Sequence, residues 1–336
     1  MNLLTPSALL RSALFLCLMI MIQACTAPSK PGIYKNNLIP SGTRDKMHDL
    51  TTNLIGALKT NTTDELEQLM SQDLIDDRPA RMAICEQISI RMKDADYSLM
   101  SEYYLVNPPN INAGTHTIKE RDLGINNFDL TFSGSARETY VALITPKSAM
   151  QKWLITAIYH KYDYGWKVAK LEINPYAENG RTAPELIEQA KEQAKNGYWL
   201  DASNSASYAE RCLRPYTTWK YVAEDSIYRY NGEALKVVMS HYKLPLTITE
   251  VPTHPRIWRI RVERTKDGAF PNVNYLSTIK LYDTVALKKE NELVGKAIGH
   301  VMAGIDKDKK YIYYTIYNET EKGIPYRDHY DLKQKL

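Results

Sequence analysis

Trp153-Leu154-Ile155-Thr156-Ala157-Ile158-Tyr159-His160-Lys161-Tyr162-Asp163-Tyr164-Gly165-Trp166-Lys167-Val168-Ala169-Lys170-Leu171 decides the fold class. β-branched and aromatic residues dominate the first arm, with Trp166 and Val168 in the second, and such side chains suit a pleated, half-buried surface. Between the arms, Tyr162-Asp163-Tyr164-Gly165 supplies the turn chemistry of a hairpin, with Gly165 free to take positive φ. The spacing therefore predicts antiparallel strands over Trp153–Lys161 and Trp166–Ile173. Upstream, Tyr97–Val106, Asn127–Ser133 and Thr139–Thr145 read as further strands, and Pro108-Pro109 with Asn110–Gly114 as a loop.

Before the strands the period changes. Met47, Leu50, Leu54 and Leu58 recur at helical spacing from Thr43 onward. Thr62-Thr63-Asp64-Glu65 has the spacing of a capping box, and it is followed by Leu66, Leu69 and Met70. A third helix is expected from about Asp77, with Pro79 in its first turn, to about Met92.

Three helices leading into a curved antiparallel sheet resemble the nuclear-transport-factor-2-like, cystatin-related fold. The segments that carry the resemblance are Leu54–Asn61 running into Glu65–Ser71, and the closing hairpin Tyr164–Leu171. The resemblance covers about residues 42–176 and implies a cone-shaped domain. In ketosteroid-isomerase-like members of that family the cone holds a pocket with an acid or base. The corresponding candidates here are Asp96, Tyr97, Tyr140, Tyr159 and His160, where a carboxylate tuned by an apolar cavity would abstract a proton.

Ala183–Leu213 reads as two helices around Asn196-Gly197. Ala190, Gly197, Ala202, Ala206 and Ala209 resemble the small-residue positions of one tetratricopeptide repeat. A single copy makes no solenoid, so a helical spacer is the expectation. Beyond it, Trp258, Ile260 and Val262 alternate with Arg259, Arg261 and Glu263, the pattern of a half-buried strand. Lys266-Asp267-Gly268 turns the chain towards Val273–Leu281. Asp283 can cap a helix reaching about Gly304, with Val294, Ala297, Ile298, Val301 and Met302 as its apolar stripe. On that helix Gly295 and Gly299 leave room for close approach. Strands at Lys310–Asn318 and Tyr326–Leu332 would complete a small α+β unit.

Two surfaces in this region are candidates for contact. Arg259, Arg261 and Arg264 would form a basic strip. Tyr311, Tyr313 and Tyr317 share one side of their strand, opposite Ile312, Tyr314 and Ile316. A stacking platform for sugar or peptide is one reading of the Tyr side. Packing against the helix at 284–304 is the other.

The amino terminus addresses the chain. Arg11 is the only charge before the apolar run Ala13–Ile22, which has the length of a secretory signal core and falls short of a membrane span. Ile22-Gln23-Ala24-Cys25 resembles a bacterial lipobox. The resemblance implies cleavage before Cys25 and acylation of its thiol, with palmitate-type chains anchoring the protein in the bilayer. Thr26 in place of Asp implies sorting to the outer membrane, facing the periplasm of the cell envelope. Residues 25–41 then form a tether. The layout expected is a signal peptide at 1–24, the tether at 25–41, the cone-shaped domain at 42–176, the helical hairpin spacer at 177–222 and the C-terminal α+β domain at 223–336. Overall this is an α+β chain.

Composition narrows the function. A formal charge of +4 over 336 residues, dispersed along the chain, gives no footprint for nucleic acid. Seven scattered His and four Cys show no metal-ligand spacing, and no metal or cofactor is expected. Asp306 and Asp308 lack the Gly and Glu of a calcium loop. Ser240-His241-Tyr242-Lys243 has Ser-x-x-Lys spacing without its companion motifs. Cys85 and Cys212 each lie on an apolar helical stripe and read as buried thiols. With 24 Tyr against 4 Phe, much half-wet sheet surface is expected. The reading favours a non-catalytic, membrane-anchored lipoprotein that binds or helps assemble an envelope protein or glycan. The alternative is an envelope enzyme working in the cone pocket.

Overall fold

The computed structural model describes residues 30–91, 96–109, 114–134, 136–320 and 325–336. The apolar run 13–22, the lipobox with Cys25, Met92 and loop residues 110–113 lie outside them, as does the side chain of Cys85.

In chain order the elements begin with β1 (Gly32–Lys35), α1 (Ser41–Thr60), α2 (Thr63–Leu69), α3 (Gln72–Asp76), α4 (Arg78–Arg91) and β2 (Tyr97–Val106). Then come β3 (Thr115–Glu120), β4 (Phe128–Ser133), β5 (Glu138–Pro146), β6 (Lys152–Tyr162), β7 (Gly165–Glu178) and β8 (Arg181–Thr182). Next are α5 (Ala183–Lys195), α6 (Trp199–Arg211), β9 (Trp219–Tyr221), α7 (Glu224–His241) and β10 (Leu246–Thr247). The chain closes with β11 (Arg256–Thr265), β12 (Gly268–Leu276), α8 (Thr284–Val301), β13 (Tyr311–Glu319) and β14 (Pro325–Lys335). The fold is mixed α+β, with a curled antiparallel sheet.

Two compact units result. One takes the chain up to His116 with Ser133–Ile144 and Ile155–Glu172; the other takes Thr117–Phe132, Thr145–Leu154 and Ile173–Leu336. In the first, β1 pairs antiparallel with β2, and β5 with β6 in the register Thr139↔His160 to Ile144↔Ile155. Met47, Leu54 and Leu58 of α1 are buried, as its spacing requires. The capping box is not formed. Thr62 caps α2 without a side-chain bond to it and its hydroxyl turns back to Thr60 Oγ1 at 2.8 Å. The hairpin turn is as expected, with Gly165 at φ 115.

In the second unit α5 and α6 form the expected pair, and Ala190, Ala202, Ala206 and Ala209 are buried where the two helices approach. A third helix, α7, packs on both. Cys212 follows α6 as a buried free thiol, its pKa pushed up to about 12 chiefly by burial. The remaining strands form a sheet ordered β10-β11-β12-β13-β14. Its β12–β13 pair is parallel, and α8 provides the crossover that parallel neighbours require. Asp283 caps α8 by accepting from the Ala286 N–H at 3.0 Å. Val273, Tyr275, Ile312, Tyr314 and Ile316 on the inner side of the sheet join Leu287, Val294 and Ile298 of α8 in one core.

That core settles the alternative for the β13 tyrosines. Ile312, Tyr314 and Ile316 are the residues that meet α8. Strand alternation turns Tyr311, Tyr313 and Tyr317 to the opposite, half-exposed side. Packing of the Tyr side against that helix is therefore corrected.

Candidate functional site

The site is the outer side of the β11–β14 sheet. Paired residues on neighbouring strands project to the same side, so the register can be read as rows. Arg261 pairs with Asn272, Asn272 with Tyr313, and Tyr313 with Lys333. The next row is Arg259, Asn274, Thr315 and Asp331. Glu263 pairs with Phe270, Tyr311 with Lys335, and Tyr317 with His329. All five residues singled out from the sequence, Tyr311, Tyr313, Tyr317, Arg259 and Arg261, thus lie on one side of one sheet. Arg264 does not join them. It pairs with Ala269 one residue out of phase, and its Nε donates to the buried Glu178 at 3.3 Å.

A register shift between Ile257 and Arg259 sets Trp258 edge-on to Tyr317, with ring centroids 5.6 Å apart. Bulges of this kind re-aim a side chain. Phe270 lies edge-on to Tyr311 at 5.3 Å, and Lys333 Nζ stands 3.6 Å over the Tyr311 ring. Between the aromatics runs an amide track. Asn274 Nδ2 donates to Asn272 Oδ1 at 3.2 Å, and Thr315 Oγ1 donates to the same oxygen at 3.1 Å. Asn274 Oδ1 is buried and accepts no hydrogen bond among the described residues. Arg259, Arg261, Lys333 and Lys335 are exposed, and Glu263 and Asp331 are the carboxylates among the paired rows. The surface combines rings, amides and an excess of cations.

The first unit distributes its candidates differently. Tyr140 and Tyr159 pair directly, fully buried, with ring centroids 6.0 Å apart. His160 pairs with Thr139 in the adjacent position and so projects to the other side. Its Nε2 lies 3.3 Å from Ser133 O, and burial lowers its pKa. Asp96 is exposed, 3.9 Å from Lys59, whose Nζ sits over the Tyr97 ring at 5.7 Å. The sheet therefore brings together only the two tyrosines.

The polar partner of Tyr140 is Glu102, a residue not foreseen. Buried on β2, its carboxylate accepts the Tyr140 hydroxyl and lies 2.8 Å from His48 Nε2. Burial, then Glu102, pushes the Tyr140 phenol well above its ordinary pKa. The Tyr159 hydroxyl lies 3.4 Å from Thr51 Oγ1. A lone carboxylate inside the apolar run Tyr97–Val106 was the available signal.

Among the described residues no group of His, Cys, Asp and Glu has the arrangement of a metal site. Compared with protein-family models, with characterised proteins and with solved structures, the chain matches none. Among the described residues, no helix is long and apolar enough to cross a membrane.

Proposed function

We propose that the chain is a lipid-anchored protein of the bacterial envelope that binds or helps assemble another envelope component through the outer side of the β11–β14 sheet. In this reading Cys25 is acylated and holds the protein at the outer membrane, facing the periplasm. The first unit is the cone-shaped, nuclear-transport-factor-2-like domain. The observation that carries the proposal is the register that aligns Arg261, Asn272, Tyr313 and Lys333 in one row. Aromatic rings flanked by arginine are the side chains that anchor interfaces, and four exposed cations against two carboxylates favour an acidic partner surface.

The test is photo-crosslinking from position 313 in the lipidated protein in its own membrane, read by mass spectrometry beside a Cys25→Ala variant. A defined envelope adduct lost in Arg259→Glu supports the reading. An adduct that survives charge reversal, or a Cys25→Ala protein that still matures and fractionates with membranes, refutes the face or the anchor respectively.

The second reading, an enzyme in the first unit, draws on the Glu102–Tyr140–His48 cluster, where a buried carboxylate reaches a half-exposed imidazole. Loss of cellular function in Glu102→Gln at unchanged melting temperature would favour it.

A further inference from the structure

A second feature of the C-terminal unit stands apart from the sheet surface. A cavity of about 290 Å³ is lined by residues of α5 and α6, the β7–β8 turn, the start of β12 and the segment before β13. That volume falls just short of the range for ligand sites of drug size, roughly 300–1,000 Å³.

The wall from α6 is unusual. Asp201, Asn204, Ser205 and Tyr208 recur at i, i+3, i+4 and i+7, the spacing of a single helical face. Such a face turned inward is ordinarily apolar, yet here Asp201, Ser205 and Tyr208 are buried and polar. Burying polar groups is costly unless each finds a partner. Ser205 does, donating to Gln193 Oε1 of α5 at 2.7 Å.

The charged groups are largely engaged with one another. Lys309 Nζ donates to Asp201 Oδ2 at 2.6 Å, to Gly304 O at 2.7 Å and to Lys307 O at 2.8 Å, which uses all three of its protons. Lys307 pairs with Asp306 at 3.0 Å, and Glu192 with Lys195 at 3.7 Å. The exposed Arg181 and Asp308 add one charge of each sign. What remains is amide. The side chains of Gln189, Asn196 and Asn204 make no hydrogen bond among the described residues.

We propose that this cavity binds a neutral mono- or disaccharide through the side-chain amides of Gln189, Asn196 and Asn204. A carboxamide offers a donor and an acceptor side by side, which matches the vicinal hydroxyls of a pyranose. An amino acid or a phosphorylated ligand would instead require a charge left unpaired inside the cavity; the Asp201–Lys309 pair is spent on itself, and Arg181 and Asp308 are exposed. The binding is non-covalent and independent of the sheet surface.

The experiment is saturation-transfer NMR and calorimetry on the full-length protein with glucose, maltose and N-acetylglucosamine, and with glucuronate and glycine as charged probes. Saturable binding of at least one neutral sugar is expected. It should weaken about three- to tenfold in each of Asn204→Leu and Gln189→Leu, the effect of one lost hydrogen bond. Both variants should keep the parent melting temperature, and Tyr313→Ala should bind the sugar as the parent does. Three results overturn the proposal: no neutral sugar binds, only the charged probes bind, or sugar binding is indifferent to both amide substitutions. Should Asn204→Leu lower the melting temperature, Asn204→Ser and Gln189→Leu carry the same comparison.

Discussion

Arg261 and Tyr313 face Asn272 from opposite sides, Arg261 across an antiparallel pair and Tyr313 across a parallel one. A guanidinium and a phenol that lie 52 positions apart in the chain therefore stand in one row, with a single amide between them. The row exists because α8 returns the chain to run β13 alongside β12.

Charge reversal on this row should impair partner capture without unfolding the unit. Arg261→Glu alters an exposed position, so stability should move by no more than about 0.5 kcal/mol, whereas Tyr313→Ala gives up part of a half-buried ring and should cost about 1 kcal/mol. Capture by Arg261→Glu should fall and the remainder should become less sensitive to salt, because a screened attraction has been removed. Denaturant melts beside salt-dependent crosslinking yields check both.

Removing the Tyr140 hydroxyl should destabilise the first unit. Tyr140→Phe leaves the buried Glu102 with one polar partner fewer, and a lost bond to a charged acceptor costs about 1.5–3 kcal/mol. Urea unfolding would show a lower midpoint at an unchanged slope.

Two buried groups should tilt stability in opposite directions with pH. The folded-state pKa of His160 is lowered by burial, against the opposing pull of the Ser133 carbonyl and Asp73. The unfolded chain therefore binds the proton better, and stability is lost as pH falls below the ordinary His value. The pKa of Asp201 is raised to about 6 by burial, with Lys309 opposing and Asp306 and Asp308 adding to the rise. The folded chain then holds that proton longer, so the Asp201 contribution is full below about pH 4 and declines as pH rises to about 6. Melting curves from pH 4 to 8 should be shallower on the acid side in His160→Gln. In Asp201→Asn the decline between pH 4 and 6 should be absent.

Glycine substitutions should rank by what their Cβ meets. At Gly304, with φ +87, a Cβ would fall 2.3 Å from the Tyr198 ring. Strained backbone and a packed ring together should cost Gly304→Ala more than about 1 kcal/mol. At Gly295 the obstacle is the Gln334 side-chain amide at 2.5 Å. A flexible side chain can swing away, so Gly295→Ala should cost less in the same calorimetric comparison.

Local chemistry was legible wherever a short window carries it. The hairpin around Gly165, the α1 stripe of Met47, Leu54 and Leu58, the Asp283 cap and the α5–α6 pair follow from periodicity and turn chemistry, which act over a few residues. α7 was missed because its face is mixed. Tyr228, Leu235 and Met239 are exposed while Ile227 is buried, so no single stripe announced the helix. The Thr62 capping box failed for the same local reason in reverse, since the right spacing does not oblige the hydroxyl to choose the helix over Thr60.

Pairing across strands needed the tertiary structure. Strand alternation alone places Tyr311, Tyr313 and Tyr317 together, but it cannot say which side meets a helix. The β12–α8–β13 crossover decided that, burying Ile312, Tyr314 and Ile316 and leaving the tyrosines towards solvent. It also joined Arg259 and Arg261 to them and separated Arg264. In the first unit the register set Tyr140 against Tyr159 and turned His160 away, and Glu102 became the partner of Tyr140 only because β2 carries a carboxylate into the buried layer. Periodicity is written in neighbouring residues. Which residue lies opposite another depends on chain closure over tens of positions, and only the folded packing fixes that choice.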